Sequence, residues 1–155
     1  MTALAHEAVP GFAGTTPTRG NYPIKANVRI FKGAIVGLDS AGRAMPADTL
    51  ANGCLIIVGK SSATYDNRTG SALGGAAGAV NVDVEFGTFE AANSTAGDAI
   101  TAAHVGSTCY GVDDQTVAHT SNTQTRPIAG LVIGLKGVKV LVYMGPHVAG
   151  ALTAT

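Results

Sequence analysis

The sequence predicts an all-β fold: a small β-barrel or sandwich of short antiparallel strands, preceded by an extended N-terminal arm. Three observations carry this. Short β-rich runs recur at turn-punctuated intervals. Residues 80–86 (VNVDVEF) alternate strictly, with Val80, Val82, Val84 and Phe86 on one face and Asn81, Asp83 and Glu85 on the other. No segment offers an amphipathic helix longer than about three turns. At 155 residues the chain has the length of one domain and can bury roughly 70% of its unfolded surface.

Residues 1–25 differ from the rest. Pro10, Gly11, Gly14, Pro17, Gly20 and Pro23 break both the helical and the strand period. Phe12 and Tyr22 stand in the same stretch, where a solvated tail would rarely carry aromatics. The stretch reads as an arm that becomes ordered by lying on another surface, with a disordered terminus as the alternative. Residues 26–155 then form a single β domain.

The strand candidates follow in order: residues 27–31 (NVRIF), 33–38 (GAIVGL), 54–58 (CLIIV), 80–86, 107–112, 128–135 and 138–144. They amount to roughly seven to nine strands with short connections. Asp39-Ser40-Ala41-Gly42 closes the second run. Lys136-Gly137 is a two-residue connection suited to a tight hairpin, because glycine accepts positive φ. Residues 47–51 and 99–104 have helical character for a turn or two. The low-complexity stretch 70–79 (GSALGGAAGA) reads as a flexible loop; the alternative is a place where another backbone packs closely.

Composition narrows the function classes. Ten basic and ten acidic residues give a net charge of zero, which leaves no broad basic footprint for nucleic acid. Charged residues make up 13% of the chain, against about 25% in an ordinary soluble domain. Such a surface suits packing against other chains, so an assembly component is expected. The opening MTALAHEAVPGF lacks a basic segment and carries Glu7, so no signal peptide is expected. No run approaches the about 18 apolar residues of a membrane helix. Cys54 and Cys109 fit neither a metal spacing nor a disulfide framework and read as buried thiols in a reducing compartment.

Candidate chemistry is sparse. Residues 53–61 (GCLIIVGKS) resemble a phosphate-binding loop, but five residues separate the glycines where the motif has four. Those five have the composition of a buried strand. Asp113-Asp114 reads as a turn, its aspartate oxygens accepting from nearby backbone N–H groups, because adjacent strand residues face opposite ways. His6, His104, His119 and His147 show no ligand spacing and are expected at the surface or at loop edges. Asn67-Arg68-Thr69 and Asn93-Ser94-Thr95 match glycosylation acceptors only by chance in a chain without a secretory signal. Lys25, Arg29 and Lys32 cluster near the arm, where acidic groups on a neighbouring protein would explain them as well as RNA. No catalytic, cofactor-binding or metal-binding residue is expected, and the chain does not read as an enzyme.

Several motifs occur in a familiar order. They are Phe31-Lys32-Gly33-Ala34-Ile35-Val36-Gly37-Leu38-Asp39-Ser40-Ala41-Gly42, Asp66-Asn67-Arg68-Thr69-Gly70, Gly87-Thr88-Phe89-Glu90-Ala91-Ala92-Asn93, Ile100-Thr101-Ala102-Ala103-His104-Val105-Gly106, Cys109-Tyr110-Gly111-Val112-Asp113-Asp114 and Arg126-Pro127-Ile128-Ala129-Gly130. Together, over roughly residues 28–145, the chain resembles the capsid cement, or head decoration, proteins of tailed bacteriophages. It departs from them in having no Trp near its last strand and in its long Pro/Gly-rich start. The resemblance implies a structural virion protein on the outer surface of the capsid, made in the bacterial host cytoplasm. It would stabilise the expanded shell by bridging major capsid subunits. The implied partners are the major capsid protein and copies of itself, as a homotrimer or a dimer, with no cofactor, nucleic acid or membrane. A tail, baseplate or fibre component on a similar β scaffold is the alternative. Within the arm, Pro10, Phe12, Tyr22, Pro23, Ile24 and Lys25 are the expected capsid contacts, since aromatic and apolar anchors dominate interface energetics.

Overall fold

The computed structural model describes residues 18–72 and 74–153. They form twelve strands and one helix: β1 (Arg19–Pro23), β2 (Val28–Ile30), β3 (Ile35–Leu38), β4 (Ala44–Pro46), β5 (Ile56–Ser61), β6 (Tyr65–Asn67), β7 (Asn81–Glu85), β8 (Gly87–Asn93), β9 (Thr108–Gly111), β10 (Thr116–Ala118), β11 (Ile128–Lys136), β12 (Lys139–Met144) and α1 (Pro146–Thr153). Single 3-10 turns occupy Leu50–Asn52, Ala96–Asp98 and Ala102–His104. The fold is all-β, as the sequence predicts.

The strands divide into two bodies. A five-stranded antiparallel sheet runs β1-β7-β5-β3-β4, and β10-β8-β12-β11-β9 closes into a barrel. A small β2–β6 pair lies beside them. Barrel closure uses one parallel contact, β10 with β8; its other pairings are antiparallel. An isolated bridge from Ile24 to Ala44 ties the end of β1 toward β4, so the sheet also curls back on itself.

Each body has its own core. Ile24, Ile30, Val36, Ala44, Val58, Val82 and Val84 fill the sheet side, with Tyr22, Tyr65 and Phe86 packed around them. Ala91, Cys109, Val117, Ala129, Val132, Val140, Val142 and Met144 fill the barrel, joined by Ile35, Met45 and Ile57 from the sheet and by Cys54 just before β5. β3 and β5 therefore stand between the cores: Ile35 and Ile57 face one, Val36 and Val58 the other.

Several boundaries move from their expected places for tertiary reasons. The expected strand 54–58 becomes Ile56–Ser61, because β7 pairs with Lys60 and Ser61 and extends the ladder. The hairpin connection is Gly137-Val138, between the paired Lys136 and Lys139, one residue later than expected. Gly137 supplies the positive φ, at 60°. β8 has little β-propensity in its GTFEAAN sequence and is a strand because β12 pairs with it from Gly87 to Ala92. The expected domain boundary at residue 25 falls inside the fold, since β1 pairs with β7 along its whole length. α1 was not expected from the sequence; it begins at Pro146, whose fixed φ suits a first helical position.

Candidate interaction surface

The arm residues expected to meet a capsid divide three ways. Pro10 and Phe12 lie outside the described residues. Ile24 is fully buried in the sheet core, and Tyr22 packs half-buried against the same core, where burial raises its phenol above the ordinary value. Both side chains are thus used by the fold of this chain itself, because β1 lies as an edge strand on β7. Pro23 is exposed, while Lys25 is half-buried and donates its backbone N–H to the Ala44 carbonyl at 2.9 Å.

The candidate chemical motifs resolve into structure. Residues 56–61 of the phosphate-loop lookalike are a strand paired on both sides, and Ile57, Val58 and Gly59 are buried. Asp113 forms the expected turn, its Oδ1 accepting from the N–H groups of Gln115 and Thr116 at 2.9 and 2.8 Å. Asp114 rims a shallow depression of about 250 Å³ with Phe31, Lys32 and Gln115. Burial, then the neighbouring Asp113 charge, pushes its carboxyl up. Cys54 and Cys109 are free and buried as expected, and burial pushes the Cys109 thiol up to about 12. His104 stacks on His119 with ring centroids 4.3 Å apart, and each imidazole holds local backbone: Thr101 N–H for His104, Gly97 C=O for His119. Among the described residues no three His, Cys, Asp or Glu side chains are placed to hold a metal, and no helix is long and apolar enough to cross a membrane.

Asn67, in the D-N-R-T-G motif, is fully buried. Its Nδ2 donates to the carbonyls of Lys25 at 3.1 Å and Ala76 at 2.8 Å, and its Oδ1 accepts from Gly75 N–H at 3.3 Å. Asn27 N–H also donates to the Gly75 carbonyl, and Gly78 N–H to that of Ile24. The glycine-rich stretch is therefore packed against backbone, which small residues allow. Beside it Asp66 pairs with Arg68 at 2.7 Å, and Arg29 lies 4.3 Å above the Phe31 ring. Arg29, one of the three basic residues noted near the arm, thus meets Phe31 and, at 4.0 Å, Asp66 of its own chain.

The β11–β12 hairpin was expected, but nothing in the sequence signalled the surface it presents. Ile133, Leu135 and Val138 are exposed there, Val138 at 86%. Residues paired across strands share a face. Lys136 pairs with Lys139, Lys139 with Ala92, and Leu141 with Glu90, which places Lys136, Lys139 and Glu90 together outside the barrel. Lys136 Nζ forms an ion pair with Glu90 Oε1. From the neighbouring sheet, Lys60 Nζ donates to the Glu90 carbonyl at 2.6 Å. The hydrogen bond and charge of Lys136 hold the Glu90 carboxyl below its ordinary range, with Lys139 and Lys60 adding to the effect. Burial, then the Lys139 charge, lowers the Lys60 ammonium. Charges from β5, β8, β11 and β12 converge here, and no local spacing in the sequence could have signalled it.

Compared with protein-family models, with curated proteins and with solved structures, the chain matches none.

Proposed function

We propose that this chain is a non-enzymatic structural protein that decorates the outside of a phage head and stabilises the expanded capsid by bridging major capsid subunits, working as an oligomer of itself, a trimer in the first instance. The observation that carries this reading is the exposed apolar surface. Phe31, Leu55, Val105, Ile133, Leu135 and Val138 all stand exposed on a neutral chain with few charges. Such a surface gains free energy when neighbours cover it. The resemblance of the ordered motifs to head decoration proteins supports the major capsid subunit as that neighbour. A clamp of this kind works by linkage: binding only the expanded shell stabilises that shell by the binding free energy, multiplied over many sites.

Co-sedimentation of the full chain with expanded and unexpanded heads tests it. Saturable binding to expanded heads, near one copy per major capsid subunit, is the expected result. Binding to neither form would reject head decoration and move the tail, baseplate or fibre reading to the front. A deletion that asks what the arm contributes has to stop before Thr18, since removing residues 18–25 takes away β1 and Ile24 and damages the sheet core.

A further inference from the structure

Two properties coincide at one end of the barrel. Three lysines converge on Glu90: Lys136 Nζ ion-pairs with its carboxylate, Lys60 Nζ donates to its backbone carbonyl, and Lys139 lies on the same outer face by strand register. Glu85, the other acid near Lys60 in register, is held by Arg19 at 3.2 Å. Three positive charges against one negative leave an excess of two on a chain whose net charge is zero. Between Lys136 and Lys139 the turn projects Val138, the most exposed large hydrophobic side chain among the described residues. Turn chemistry asks for glycine at the first position, which Gly137 fills, and places no demand for valine at the second. Leu135 and Ile133 are also exposed on β11: Leu135, paired with the buried Val140, lies on the face opposite Lys136, and Ile133 stands at a register shift against β12.

We infer that the β11–β12 hairpin tip docks an acidic segment of a partner protein, with Val138 seated in an apolar recess of the partner and Lys60, Lys136 and Lys139 meeting its carboxylates. Charge complementarity selects this occupant: an excess of two charges is enough to orient a carboxylate-bearing peptide and too small for the multi-phosphate contacts of a nucleic acid. The inference rests on the head-decoration reading for the partner's identity, which is then an acidic segment of the major capsid subunit.

The probe is expanded heads assembled from the major capsid protein encoded in the same genome, with the full chain added as wild type, as Val138→Asp, as Lys136→Glu/Lys139→Glu and as Lys136→Arg/Lys139→Arg. Circular dichroism checks folding. The aspartate and the glutamate variants change different side chains on the exposed tip, so either one carries the test if the other misfolds. Wild-type binding that weakens as salt rises is expected, with Kd raised at least about tenfold in the aspartate and glutamate variants and unchanged in the arginine variant. Wild-type binding matched by both the aspartate and the glutamate variants would overturn the hairpin assignment and leave head decoration standing. Absence of wild-type binding would overturn both. Displacement of bound chain from heads by a short DNA duplex would reassign the lysines to phosphate and overturn the proposal.

Discussion

The central strands of the sheet and the strands of the barrel solve the same burial problem in different ways. In β12 burial alternates: Val140, Val142 and Met144 are fully buried, while Lys139, Leu141 and Tyr143 are not. In β5 the neighbours Ile57 and Val58 are both fully buried, because the barrel lies on one face and the sheet core on the other. The difference teaches that periodicity reports how many faces of a strand are covered. A strand with one wet face must alternate; a strand covered on both sides carries a continuous apolar run.

Both bodies nevertheless share one device, and breaking it gives the largest expected effect. Gly59 on β5 and Gly130 on β11 stand beside register shifts at φ of 152° and 158°. A Cβ at Gly59 would press on the Glu85 carbonyl oxygen, and one at Gly130 on that of Tyr143. Gly59→Ala and Gly130→Ala are each expected to cost about 4 kcal/mol or to prevent folding, because rigid backbone is the obstacle. Urea unfolding of both variants measures it, and a cost under about 1 kcal/mol at either position would reject the shared role.

The comparison itself is sharpened by truncating adjacent residues. Ile57→Ala should cost about 3–4 kcal/mol and Val58→Ala about 2–3, since each leaves a cavity in a different core. On β12, Val142→Ala should cost about as much as Val58→Ala, while Leu141→Ala stays near or below 1 kcal/mol. Equal costs at Leu141 and Val142 would show that the barrel, too, is covered on its outer face.

Asn67→Ala comes next. It removes the buried amide that donates to the Lys25 and Ala76 carbonyls and accepts from Gly75 N–H, with an expected loss of about 2–3 kcal/mol. Amide hydrogen exchange should speed up at Gly75 and along the turn after Ile24. Exchange unchanged there would mean that the loop holds itself.

The smallest effect is electrostatic. The hydrogen bond from the Arg68 side chain, helped by the Arg68 backbone N–H, holds the Asp66 carboxyl down at about 2. A carboxyl lowered in the folded state stabilises it above the ordinary carboxylate range, and that contribution fades as pH falls toward about 2. An NMR titration should place the Asp66 midpoint near about 2, and Arg68→Ala should move it toward the ordinary range.

Much of the fold could be read from the residues. Val82 and Val84 point inward and Asn81 and Asp83 outward, just as the alternation of that segment requires. The turn at Asp113 follows from local hydrogen bonding, and the last hairpin from a glycine between two apolar runs. β4, β6 and β10, at three residues each, were not legible, since so few positions hold no period. β1 was hidden by Pro23 and Gly20. An edge strand tolerates both, because one side of its backbone makes no ladder bonds. The candidate surface was less visible still: Tyr22 and Ile24 looked like anchors for a partner, whereas Ile24 is a core residue of this chain and Tyr22 packs half-buried against that core.

By itself, then, the sequence determined the all-β class, the strand with one wet face, the buried thiols and the scarcity of charge. These depend on residue type and short-range spacing, which are written along the chain. Only the tertiary structure decided that β3 and β5 lie between two cores, that Asn67 clamps the glycine-rich stretch, and that Lys60 joins Lys136 and Lys139 around Glu90. Those facts depend on which strands become neighbours, and a period of two says which way a side chain points without saying what it will meet.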